Sequence, residues 1–149
     1  MFKGASLFAV LAVVLAFAGC GGGDDSTLTK AEYTQQLKLA CNEGTQARET
    51  LIAEITRQYY EEREKPPTPQ YQANNLRKLV DTYQATTKKI SEIGLPEGEE
   101  KKAEAFVRAR EEAAAEIEAS PLGTRDNILR LFIDPEKKAE ALGVGTCDT

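Results

Sequence analysis

The chain has 149 residues, 41% of them hydrophobic, with 24 acidic against 19 basic side chains and a formal net charge of −5 at neutral pH. That length holds one domain with a modest core, and the charge leaves no basic surplus for a phosphate backbone, so nucleic acid is not expected as a partner. Histidine and tryptophan are both absent, which removes the imidazole that serves most general-base and metal-binding chemistry.

The first element is a leader. Lys3 supplies one positive charge, and Ala5 to Phe17 follow without any. The run is shorter than the about 20 apolar residues a membrane-spanning helix requires. A charged start, a short apolar core and a small-residue end are the anatomy of a secretory signal peptide, here residues 1–19. A cysteine stands where such a leader is cut. Phe17-Ala18-Gly19-Cys20 resembles the lipobox of bacterial lipoproteins, with Ala18, Gly19 and Cys20 matching the pattern and Phe17 standing where Leu, Val or Ile is usual. The resemblance implies that Cys20 is the lipid attachment site: its thiol takes a diacylglyceryl group, with palmitate among the acyl chains, and becomes the first mature residue. The chemistry suits the residue types, since small side chains let an extended backbone enter a peptidase and a thiol is a strong nucleophile. The alternative is an ordinary signal peptide with a bystander cysteine. Gly21-Gly22-Gly23-Asp24-Asp25-Ser26 then reads as a solvated tether, residues 20–28.

Three cysteines are present, Cys20, Cys41 and Cys147, and an odd one in an exported chain requires an explanation. With Cys20 acylated, Cys41 and Cys147 can pair in an oxidising compartment, closing a loop for which chain entropy gives on the order of 4 to 5 kcal/mol. The alternative is two unpaired buried thiols.

Residues 29–149 read as the folded domain. Leu28-Thr29-Lys30-Ala31-Glu32-Tyr33 is a helix start in which Thr29 and Glu32 cap each other and Leu28 staples onto Tyr33. Tyr33, Leu37, Ala40, Gly44, Ala47, Leu51, Ile55 and Tyr59 recur at steps of three and four, one face of a long first helix that reaches toward Glu64. Gly44 is a candidate bend, and Pro66-Pro67 stops the helix. Thr68-Pro69 starts a second helix as cap and first residue, with Leu76, Leu79, Val80, Tyr83, Thr87, Ile90 and Ile93 inward and Gly94-Leu95-Pro96 as its glycine-capped end. A third runs from about Glu97 or Glu99 to Ala119, burying Ala103, Phe106, Val107, Ala114 and Ile117. Ser120-Pro121 is expected to cap a fourth that carries Leu122, Leu129, Phe132 and Ile133. Asp134-Pro135 is expected to interrupt it before a continuation to Leu142 and Gly143.

No segment alternates like a strand. The predicted fold is all-α, an antiparallel up-down four-helix bundle with a long first helix and one disulfide. Length matching places the end of the second helix near residue 40 and brings Leu142 to the level of Cys41, so Cys147 can reach it; residues 29–39 are left as an overhang toward the tether. The segments "LTKAEYTQQLKLAC" at 28–41, "GLP" at 94–96 and "LGVGTC" at 142–147 are similar to a group of small bacterial lipoproteins of uncharacterised function. That resemblance implies export, anchoring and the disulfide, and no activity.

No residue stands out as catalytic, cofactor-binding or metal-binding. Di-metal bundles need Glu-x-x-His motifs, and the carboxylate runs Glu61-Glu62-Arg63-Glu64-Lys65 and Glu99-Glu100-Lys101-Lys102 read as solvated faces. Tyr59, Tyr60 and Tyr71 read as ring contacts anchoring the ends of the first two helices. Arg110 falls on the third helix's apolar stripe, where an arginine usually lays its stem on the core and sends its charge out. The expectation is a non-enzymatic protein of the cell envelope, anchored to the membrane through its N-terminal lipid on the extracytoplasmic face, or in an outer membrane where the cell has one, and acting on envelope protein or wall components through its surface. The alternative is a carrier of a small apolar molecule or lipid between splayed helices, for which a cavity of several hundred Å³ is the mark. A hydrolase using carboxylates alone would need two buried acids face to face, and the pattern places none inward.

Overall fold

A computed structural model describes residues 28–61, 67–123 and 127–147. The leader, Cys20 and nearly all of the tether lie outside them, as do Glu62 to Pro66. The described chain forms four α-helices, α1 (Lys30–Glu61), α2 (Pro69–Ser91), α3 (Glu100–Ala119) and α4 (Ile128–Ala141). Each packs on its neighbour in chain order, which is the antiparallel up-down arrangement that the short connections dictate.

Local chemistry sets the helix starts. Thr29 Oγ1 accepts from the Glu32 backbone N–H (3.3 Å) while Glu32 accepts from the Thr29 N–H (3.0 Å) and hydroxyl (2.6 Å), a reciprocal cap. Leu28 packs on the core cluster that contains Tyr33. Thr68 caps α2 by accepting from the Tyr71 N–H at 3.2 Å, with Pro69 as first residue.

The helix ends differ more from expectation. α2 stops at Ser91 with Glu92 in ordinary helical geometry, and Gly94 has no left-handed backbone. The positive φ falls instead on Gly98 (+76°), where the linker turns into α3. Between the two, the linker runs back along the chain's start: Leu28 donates to the Leu95 carbonyl (3.1 Å), and Glu97 donates to the Leu28 carbonyl (2.8 Å). Residues 29–39 are therefore not an overhang. Tyr33 and Leu37 are buried in the main cluster with Ile90, Ala103, Phe106 and Leu142, because the linker and the segment after α4 cover the part of α1 that α2 leaves bare.

α4 begins at Ile128, and residues 121–123 form a turn rather than helix. Gly123 sits close to Ser120, where an added Cβ would lie 2.4 Å from the serine Oγ and would require that hydroxyl to rotate away. Pro135 does not interrupt α4, which continues through it to Ala141 with the ring buried. The lost backbone donor costs one hydrogen bond, offset here by burial of the ring and an Asp134–Lys138 ion pair at 2.7 Å spanning the same turn. Phe132 faces inward with Ile128 and Leu131, against Val80, Ala114 and Ile117. Leu122, Leu129 and Ile133 are exposed, Leu129 at 79%. α4 packs on α3 and also on α2, where Phe132 meets Tyr83 edge to face with ring centres 5.1 Å apart, and its Leu129 and Ile133 side is left exposed.

The C-terminal end of α4 follows the sequence closely. Gly143 takes φ +78°, Gly143 N–H donates to the Glu140 carbonyl (2.9 Å) and Val144 N–H to the Ala139 carbonyl (3.1 Å). That pair of bonds, with Val144 and Ala139 both in the core, is a Schellman stop. Residues 142–147, the tail, then turn onto α1.

Candidate functional site

The most built-up region of the molecule is the end where α1 begins, the α2–α3 linker passes and the tail returns. Cys41 on α1 and Cys147 on the tail form a disulfide with Cα atoms 4.8 Å apart and a sequence separation of 106. Both are buried. Thr34 Oγ1 donates to the Leu142 carbonyl (3.1 Å) and Thr45 Oγ1 to the Cys147 carbonyl (3.4 Å), so α1 holds the tail at both ends. The Cys147 N–H donates to Glu136 Oε2 at 3.3 Å, tying the same residue to α4. The tail, rather than a helix face, is what closes the bundle from α4 onto α1.

Beneath the disulfide lies Arg110, with 0% of its surface exposed. Its Nε donates to Thr87 Oγ1 (3.0 Å), Nη1 stands 3.6 Å from Cys147 Sγ, and the guanidinium carbon lies 3.9 Å from the centre of the Tyr83 ring. This corrects the expectation that its charge would reach solvent. Among the features that accommodate a cation inside are the aromatic rings of Tyr83 and Phe106, a threonine hydroxyl that itself donates to the Tyr83 carbonyl at 2.9 Å, and a polarisable sulfur. The signal was present in the sequence as Tyr83 and Thr87 on α2's inward stripe, two positions that a purely apolar core would fill otherwise.

Beside Arg110 is a small cavity of about 20 Å³ lined by Gly44, Thr45, Leu79, Tyr83, Thr86 and Cys147 among others, large enough for one water molecule. A half-open apolar groove of about 210 Å³ lies nearer the start of the domain, between Tyr33, Ile90, Ile93, Leu95 and Val107, with Glu104, Arg108 and Glu111 at its rim. Among the described residues no group of three or more His, Cys, Asp or Glu side chains is placed to hold a metal ion, and no helix is long and apolar enough to cross a membrane.

The other singled-out residues are dispersed. Glu99 bridges Lys30 and Lys102, both at 2.9 Å, and these two hydrogen bonds hold its carboxyl below the usual range. That triad pins the linker to the start of α1. Glu100 accepts from the Gly98 N–H at 2.9 Å, supporting the tight turn before α3. Tyr59 and Tyr60 meet edge to face, ring centres 5.6 Å apart, and are both exposed; Tyr71 donates its hydroxyl to the Ile55 carbonyl at 3.4 Å. The tyrosines thus divide, with Tyr71 joining α2 to α1 and the other two left on the surface. The Glu62-Arg63-Glu64-Lys65 run and Cys20 lie outside the described residues.

The chain matches no family model, no curated protein and no solved structure.

Proposed function

We propose that this is a non-catalytic, lipid-anchored protein of the cell envelope, moored by acylated Cys20 on the extracytoplasmic face of a membrane and acting through surface contacts with envelope proteins or wall components. The observation that carries the reading is the pairing of Cys41 with Cys147. A buried structural disulfide belongs to an oxidising compartment, and it leaves Cys20, next to Ala18-Gly19 and an apolar leader, as the one cysteine still to be accounted for. The disulfide is a structural latch, with Arg110 as packing beneath it. The fold suits a tethered body: the linker clasps Leu28, so a tether entering there meets an anchored point of the domain.

The runner-up, a carrier holding an apolar molecule between the helices, would call for an enclosed apolar cavity of roughly 300 Å³ or more. The space beside Arg110 is only about 20 Å³, and the larger hollows, about 210 Å³ beside Tyr33, about 300 Å³ beside Thr87 and about 680 Å³ along Thr34, Lys38 and Leu39, are open to the surface rather than enclosed, so surface contact is the better-supported mode. Intact mass of the membrane fraction, with and without reductant, tests the proposal. The expected species begins at residue 20, carries a lipid-sized increment, and gains the mass of two hydrogens on reduction. A water-soluble, unmodified chain contradicts it.

A further inference from the structure

The first turns of α1, just after the point where the tether enters, carry an open hollow of about 680 Å³ lined by Lys30, Ala31, Thr34, Lys38 and Leu39 with Gly143 of the tail. Leu39 is 57% exposed. No carboxylate lines the hollow, and at about 100° per residue none falls on that side of α1 from Lys30 to Gln46. Glu32 and Glu43 lie at its edge, where Glu32 is taken up by the Thr29 cap and Glu43 pairs with Lys89 at 2.9 Å. The cations are less fully matched. Lys30 shares Glu99 with Lys102, two ammonium groups to one carboxylate, and the Lys38 side chain makes no ion pair among the described residues.

What this face meets follows from the length of chain ahead of it. Cys20 stands eight residues before Leu28, and eight residues at full extension span at most about 28 Å. Tyr59, toward the other end of α1, is about 46 Å from Leu28 at 1.5 Å per residue. A bilayer that holds Cys20 is therefore within reach of the first half of α1, whereas a body standing on its Tyr59 end would lift Leu28 farther from the bilayer than the leash allows. Charge selects the same end. Past Arg110, α3 carries Glu111, Glu112, Glu116 and Glu118 and no basic residue, and this half of the helix points away from Leu28, so an anionic surface repels it.

We propose that the hollow at the start of α1 docks on the bilayer that carries the anchor, with Lys30 and Lys38 against the phosphates of anionic phospholipids and Leu39 among their headgroups. The proposal rests on the acylation of Cys20. Lysines near an anionic surface are attracted to it, and their stems lie along apolar surface while the ammonium reaches outward, which suits a hollow with an apolar floor and cations at its rim. High affinity is not required. A short leash presents the face at an effective concentration on the order of millimolar, so contacts too weak to recruit a free protein hold a tethered one. The body then rests on the membrane by the start of α1 and turns the acidic end of α3 outward.

The test is lysine footprinting of the acylated full chain in vesicles, either phosphatidylcholine alone or with a third of it replaced by phosphatidylglycerol, using an uncharged amine-reactive reagent and peptide mass spectrometry. Lys38 is expected to react at least threefold more slowly on the anionic vesicles than on the neutral ones, with Lys78, exposed farther along the bundle on α2, unchanged. Leu39→Glu, at an exposed position, is expected to return Lys38 to its rate on neutral vesicles. Equal rates at Lys38 on the two kinds of vesicle, a matching slowdown at Lys78, or indifference to Leu39→Glu overturns the proposal. A chain whose intact mass shows no lipid defeats the anchoring by itself. The docking is then decided by the same comparison with the chain attached to the vesicles through the Cys20 thiol and a maleimide-bearing lipid.

Discussion

Gly44 sets how closely α1 approaches α2. A Cβ built there would lie 2.5 Å from both Thr86 Cγ2 and Oγ1, closer than atoms in a packed interface tolerate. Replacing a mid-helix glycine by alanine gains about 0.5–1 kcal/mol of helix propensity, whereas forcing a methyl into a filled contact costs about 1–3 kcal/mol. Gly44→Ala should therefore destabilise on balance in chemical denaturation, and should cost clearly less once Thr86→Ala removes both γ atoms, the remaining Cβ lying 3.1 Å away. Periodicity marks this glycine as a candidate bend, and the contact with Thr86 gives it a further reason that only the packed helices reveal. Arg110 gives a second residue-scale outcome. Arg110→Ala empties a fully buried site and should cost roughly 2–5 kcal/mol, as large-to-small core changes do. Arg110→Met keeps most of the volume and should cost clearly less, buried charges being replaceable by apolar groups of similar size; equal losses would show that the guanidinium itself, not its bulk, is what the core requires. Tyr33, 2% exposed, has its phenol pushed up to about 12 by burial. The unfolded chain ionises this group near pH 10 and the folded chain does not, so its contribution is intact below about pH 10 and is lost as pH rises toward 12. Tyr33→Phe should flatten the alkaline fall of stability in that window, and an unchanged slope would place the effect elsewhere.

At the scale of elements, the tail carries more than its length suggests. α4 and α1 do not pack on each other, so the link across that side is the disulfide, the two threonine hydrogen bonds and the burial of Leu142, Val144 and Cys147. Cys41→Ser with Cys147→Ser should lower stability by about 4–5 kcal/mol, the loop-closure value for a bridge of this span, with the start of α1 and the tail losing hydrogen-exchange protection together. Loss of under about 1 kcal/mol would mean that the tail is held mainly by its side chains. Helix starts were legible in the sequence because a cap is a local matter: Thr29 with Glu32, and Thr68 with Pro69, need no distant partner. The start of α4 was not. Ser120-Pro121 has the residues of a helix cap, but the chain passes from it into a tight turn through Gly123, and Asp134-Pro135 looks like a break until one sees that the proline ring is buried. At Pro135 tertiary packing overrides a local preference.

For the whole molecule, four helices in chain order and the Cys41–Cys147 bridge follow from periodicity, link lengths and cysteine parity. The coverage of each helix does not. Leu129 and Ile133 keep the spacing of a buried stripe yet face solvent, because α4 turns its Ile128, Leu131 and Phe132 side to α2 and α3 instead; Arg110 keeps that spacing and is buried, because Tyr83 and Thr87 of α2 receive it. Periodicity says which residues share a face, and only the assembled bundle says whether the face is covered. The same gap separates fold from role. The described body supplies a latched, compact end beside Leu28, and the functional claim rests on Cys20, in the tether that leads to it. The measurement that tests this claim most directly is membrane fractionation of the Cys20→Ser chain beside the unaltered one. The unaltered chain is expected to sediment with membranes and partition into detergent, while Cys20→Ser loses the lipid increment and its detergent partitioning; a Cys20→Ser chain that keeps both would contradict the anchoring.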